Sequence, residues 1–198
     1  MTKQKALVVV SAVAVFAASV VLGHAFTLLT LKEALLEVFG AGTKIIKQTE
    51  RLKGEVEQRV TERLGGSLEF LQEGSESAAV VASKKIDFYF AEKDGKKIGV
   101  AVIDDQPGKW GPVEFMIAMD LRGAVQRVLV MSYQEKRGRP IARRSFMDQY
   151  QGKTSGSVLT VGKDITGIAG ATISSRAATF AVKKAIVLYE EFYLHDKG

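Results

Sequence analysis

The sequence predicts an α+β fold: an N-terminal transmembrane helix, then an exported domain in which an antiparallel sheet of two hairpins packs with helices. Three observations carry this. Paired β-rich runs flank tight turns between residues 86 and 133, a helix-forming segment runs from Arg176 to Tyr193, and Ala6 to Leu31 contains no acid, Lys or Arg.

That uncharged run is 26 residues long, and a bilayer span needs about 20. Lys3 and Lys5 on its short flank hold the N-terminus in the cytoplasm and send the rest outward. A cleaved signal peptide is the rival, since Gly23-His24-Ala25 offers small residues for cleavage. Signal h-regions are only about 7–15 residues, which favours a retained anchor with His24 at the interface.

Lys32 to Leu64 reads as helix in two pieces around Phe39-Gly40-Ala41-Gly42. Leu52, Val56, Val60 and Leu64 make one stripe on the second piece, and Gly65-Gly66 ends it. The expected units are an anchor over 1–31, a helical connector over 32–66, and a domain over 67–198.

Residues 67 to 83 are polar and poorly patterned. Ile86–Ala91 and Lys97–Ile103 then flank Asp94-Gly95, a strong hairpin signal. Val113–Asp120 and Val125–Tyr133 flank Leu121-Arg122-Gly123 and form a second hairpin. The intervening Asp104 and Asp105 read as solvated loop acids. Trp110, the only Trp, lies in the Gly/Pro turn Lys109-Trp110-Gly111-Pro112. Ser145–Gln151 reads as a short helix.

Composition excludes several chemistries. With no Cys there are no disulfides or thiolate sites, and His24 and His195 alone cannot build a His-based metal centre or a Ser-His-Asp triad. No catalytic residue and no metal site is expected. The net charge of +6 suits an anionic membrane surface or an acidic redox partner. Basic residues concentrate between Lys136 and Arg144. No nucleic-acid-binding signature accompanies them, so nucleic acid is not an expected partner.

The stretch that the domain serves runs from Asp164 to Arg176. Glycines and small residues lead into the last helix, with hydroxyls from Thr172, Ser174 and Ser175 at its mouth. Helix N-termini favour anions because their N–H groups and dipole point outward. Spacing alone favours a simple cap, since no P-loop pattern is present.

Ile168-Ala169-Gly170-Ala171-Thr172-Ile173-Ser174-Ser175 resembles the (S/T)GATxSS signature of the FMN-binding domain. That domain occurs in the G subunit of the Rnf complex, the C subunit of the sodium-pumping NADH:quinone reductase, and stand-alone membrane-anchored bacterial proteins. The family usually has Asp and Ser or Thr where this chain has Thr166 and Ala169. The resemblance extends from about residue 38 to 190. Val38-Phe39-Gly40-Ala41 looks like the juncture outside the membrane, and Lys109-Trp110-Gly111-Pro112 like the turn approaching the flavin. Glu135 and Gly138 fall in a family loop, and Gln149 with Gly152-Lys153 in a family helix.

The resemblance implies FMN bound through a phosphoester to Thr172, installed by an ApbE-type flavin transferase that uses FAD. Gly170 and Ala171 would admit the phosphate, and Ser174 and Ser175 would hydrogen-bond it. Trp110, Glu135 and Arg139 would lie near the ring. For Trp110 a hydrophobic plug is an equal alternative, and for the basic loop a solvated face. The implied protein is an electron carrier in the cytoplasmic membrane, its domain outside, working with membrane redox partners rather than as a self-sufficient enzyme. The alternative is an FMN-sensing or cofactor-free accessory module.

Overall fold

The computed structural model describes residues 26–70, 83–134 and 141–195. In chain order the elements are β1 (Phe26–Thr27), α1 (Leu31–Phe39), β2 (Lys44–Arg51), α2 (Gly54–Arg63), β3 (Lys85–Lys93) and β4 (Lys96–Pro107). Then come β5 (Pro112–Met119), β6 (Val125–Tyr133), α3 (Arg144–Met147) with a 3-10 turn at Asp148–Tyr150, and α4 (Thr172–Tyr189) with a π turn at Glu190–Leu194.

The six strands form one antiparallel sheet in the order β1-β6-β5-β4-β3-β2. Both expected hairpins are at its centre. Asp94 and Gly95 have φ of 52° and 74°, the paired positive values that match a tight turn to strand twist. In the second turn the Asp120 carboxylate accepts from the Arg122 and Ala124 N–H groups, and Gly123 takes φ 87°.

Side chains alternate across the sheet, so it builds two cores. Phe88, Phe90, Val100, Val102, Phe115 and Ile117 pack under α4, with α2 joining through Val60 and Leu64. Ala91, Ala101, Met116, Ala118, Leu129 and Met131 pack under α1 through Ala34, Leu35 and Phe39. Thr30 caps α1 reciprocally: its hydroxyl accepts from the Glu33 N–H, and the Glu33 carboxylate accepts from the Thr30 N–H at 2.8 Å.

Five expectations change. Lys44–Arg51 is a strand, not the second piece of a helix. Its β-branched Ile45, Ile46 and Thr49 pair along β3, and this edge pairing outweighs helix propensity. Leu52, Val60 and Leu64 are buried and Val56 half-buried, but Leu52 precedes α2 and Leu64 caps its end. Phe26–Leu31, read as the end of the apolar span, supplies a strand paired to β6 and the cap of α1. Asp104 and Asp105 belong to β4 and not to a loop. The last helix starts at Thr172, four residues before Arg176. No helix among the described residues is long and apolar enough to cross a membrane. The run from Ala6 to Ala25 lies outside them.

Candidate functional site

Asp164 begins the stretch as an organiser of the preceding loop. Its carboxylate accepts from the Leu159 and Thr160 N–H groups at 3.0 and 2.8 Å and pairs with Lys153 at 3.1 Å. Burial pushes its pKa up, but the Thr160 N–H, the Lys153 ammonium and the Leu159 N–H together hold it below the usual carboxylate value. Next, Gln149 holds Thr166: its side chain accepts from the Thr166 N–H at 2.8 Å and donates to the Thr166 carbonyl at 3.2 Å. Gly167 follows, where a Cβ would meet Val161 Cγ1 at 2.8 Å, so only glycine fits without displacement.

A turn then delivers the chain to α4. The Ala171 N–H donates to the Ile168 carbonyl at 3.0 Å, and Gly170 adopts φ 77° with nothing within 4 Å of where a Cβ would be. This is open space beside a helix N-terminus. Thr172 is the first residue of the helix, and it is exposed. First-turn N–H groups project from such an end, so an anion beside Gly170 would meet N–H dipoles and the Thr172 hydroxyl together.

Ser175 has a different part. It is fully buried; its hydroxyl accepts from the Ile168 N–H at 3.1 Å and donates to the Ala171 carbonyl at 2.9 Å. One side chain thereby clasps both ends of the turn that precedes Thr172. Thr179, one helical turn on, donates to the Ser175 carbonyl at 2.9 Å and is 2.8 Å from the Tyr150 hydroxyl. With the Thr179 proton so used, Tyr150 is the donor between them. Burial drives the Tyr150 pKa far up, although its bond to Thr179 opposes this, and keeps the phenol protonated. Ser174 is also buried.

Trp110 sits half-buried in the β4–β5 turn, closed by a 2.9 Å bond from the Gly108 N–H to the Gly111 carbonyl. The Lys109 ammonium lies 4.9 Å from its ring centroid. A Cβ on Gly111 would meet the Gln134 side chain at 2.4 Å, so this turn and the end of β6 are packed together. Three contacts relate this turn to α4. Lys184 meets Asp104; Phe180 packs against Phe70, whose N–H donates to Gln106; and Tyr189 reaches the Leu121 carbonyl beyond the far end of β5. The helix therefore runs against β4, and its N-terminus points toward the Trp110 end of the sheet. Glu135 and Arg139 lie outside the described residues.

The Asp104–Lys184 pair was missed as a pair by the sequence reading. At 2.5 Å and almost wholly buried, it ties β4 to α4, and Gln106 donates to the second carboxylate oxygen. A usable signal existed: Lys183 and Lys184 interrupt the apolar run Ala181, Val182, Ala185 and Ile186, and adjacent residues about 100° apart on a helix cannot share one face. The Tyr150–Thr179 bond left no such trace. Among the described residues no three His, Cys, Asp or Glu side chains are grouped to hold a metal.

The model of the FMN-binding domain matches residues 108–187, from the Trp110 turn through the clasp and most of α4. The G subunit of the proton-translocating ferredoxin:NAD(+) oxidoreductase complex of Clostridium ljungdahlii is 34% identical over 110 residues. That match takes in 52% of this chain and spans 59% of the relative's length.

Proposed function

We propose that this chain, whose residues 108–187 are an FMN-binding domain resembling that of the clostridial relative and whose cofactor is FMN, is a membrane-anchored electron carrier with the flavin attached at Thr172. The single observation that carries the attachment reading is the exposed Thr172 hydroxyl at the N-terminus of an 18-residue helix, beside the open space at Gly170. These residues fit a phosphate: a hydroxyl free of burial, N–H dipoles, and room for oxygens where a Cβ would otherwise stand.

FMN supplies the redox chemistry, taking or giving one or two electrons; the chain's residues position it and set its surroundings. Thr172 would hold it through a phosphoester: an ApbE-type flavin transferase would join the Thr172 oxygen to the FMN phosphorus of FAD, breaking the pyrophosphate bond, with AMP leaving and the hydroxyl proton released. Gly170 and Ala171 admit the phosphate, and Ser174 stands in the first helical turn. Ser175 acts one step back, holding the turn that presents Thr172. By the resemblance, Trp110, Glu135 and Arg139 would be the residues assigned to the ring. Electrons pass to and from redox proteins of the membrane, to which residues 6–25 with Lys3 and Lys5 direct the chain. A covalent bond suits an exported carrier, which has no cytoplasmic FMN pool from which to replace a lost cofactor.

The test is the intact mass of the denatured full chain, produced with and without the transferase. The wild type should gain the FMN phosphoryl mass only beside the transferase, and Thr172→Ala should never gain it. Flavin mass retained on Thr172→Ala would move the acceptor elsewhere, with Thr166 next in line. A wild type that never acquires the mass would end the covalent reading.

A further inference from the structure

We propose that the flank of α1 facing β2 is seated in the interfacial layer of a phospholipid bilayer, so that the domain rests on the membrane rather than swinging from it. The inference rests on the anchor reading above. Its structural basis is the distribution of exposed apolar side chains. Of six large ones among the described residues, Leu31 and Leu36 both lie on α1, within eleven residues of the uncharged sequence of residues 6–25. Leu36 is 51% exposed and Leu31 36%. Leu36 borders a groove of about 470 Å³, lined also by Leu31, Leu35, Ile45 and the backbone of Gly40 and Gly42, with Lys32 at its rim.

The charges agree with an anionic lipid surface. α1 carries two acids, both turned from the groove and both engaged: Glu33 in the cap with Thr30, and Glu37 with Arg127 at 3.2 Å. Lys32 is the charged residue that lines the groove. Reach decides the occupant. From Ala25 to Leu31 is six residues, a span of at most about 20 Å even if fully extended. An apolar flank held that close to a bilayer sees lipid at high effective concentration, and burial gains about 25 cal/mol per Å² of apolar surface. An apolar groove on a domain so tethered has the bilayer as its nearest apolar phase.

The chain has no cysteine, so single labels are clean. The full chain would be reconstituted into phosphatidylcholine–phosphatidylglycerol vesicles with an environment-sensitive fluorophore on Leu36→Cys, on Leu31→Cys, or on Val158→Cys as control. Val158 is exposed, and its neighbour Leu159 packs in the α4-side core, which places it across the sheet from α1. Blue-shifted emission, quenched by spin-labelled lipid at 36 and 31 but not at 158, is expected. Vesicles that float with the protein while all three labels stay water-like would overturn the seating and leave the anchor intact. Failure of the protein to float would remove both. A signal at 36 that needs a protein from the membrane complex and is absent from pure lipid would also sink the proposal.

Discussion

Gln149 holds the backbone of Thr166 on both sides, accepting from its N–H and donating to its carbonyl at 2.8 and 3.2 Å. One amide side chain thus stands in for a neighbouring strand and fixes the loop two residues before the turn into α4. Thr166 is held through its main chain, whereas Thr172 is presented through its side chain.

Gln149→Leu should remove both bonds and leave the Thr166 groups to find water. The expected cost is about 1–3 kcal/mol, read from urea unfolding, with slower flavin incorporation by intact mass. Unchanged incorporation alongside a lowered midpoint would mean that the clamp serves stability alone.

Ser175→Ala should act on the turn rather than on a phosphate contact. It leaves the Ile168 N–H without its acceptor, so amide hydrogen exchange at Ile168 should rise even before any flavin is present. Ser175→Thr keeps the hydroxyl and should restore protection in part. If exchange at Ile168 does not move, the clasp is not what orders the turn.

Lys184→Met should be severe. Burial already raises the Asp104 pKa, against the pull of Lys184 and Gln106, and removing the ammonium leaves an uncompensated carboxylate inside the protein. A loss of about 3–5 kcal/mol is expected. Lys184→Met with Asp104→Leu should recover much of it, because no charge then remains to be desolvated. A double variant no more stable than the single one would count against this account.

Asp105 supplies a pH dependence of definite sign. Burial first, then the Glu114 carboxylate directly across the β4–β5 pair and that of Asp104, raise its pKa to about 6, with Lys184 opposing. The unfolded chain releases this proton near 3.8. Between those values the native state binds more protons, so this contribution to stability is complete below about pH 4 and is lost as pH rises through about 6. Solvent contact at Asp105 screens the effect. Asp105→Asn cannot titrate and should gain in Tm relative to wild type between pH 4 and pH 7. Parallel Tm curves for the two proteins across that range would refute the assignment.

The sequence by itself determined the elements whose cause is local. Asp94-Gly95 specifies a turn with two positive φ values wherever it stands, and the alternation on either side follows from pleat geometry. Gly170 to Ser175 marks the neighbourhood of a helix start, but the hydroxyl cap that the spacing suggests is absent: Ala171 is the N-cap, no side chain caps it, and Thr172, Ser174 and Ser175 lie inside α4. The same order of residues carries the resemblance to an FMN-binding domain.

The tertiary structure decided whatever depended on partners distant in the chain. Lys44–Arg51 becomes a strand because β3 offers it eight residues of unpaired ladder, and a one-dimensional pattern contains no sign of that edge. Asp104 is a buried ion-pair member only because α4 returns Lys184 to it from 80 residues away. Ser175, a hydroxyl residue like Thr172, is separated from it by direction: its hydroxyl points back into the turn and Thr172 stays exposed. A helix places successive side chains about 100° apart, so residue type names the candidates, and only rotation about the helix axis chooses between them.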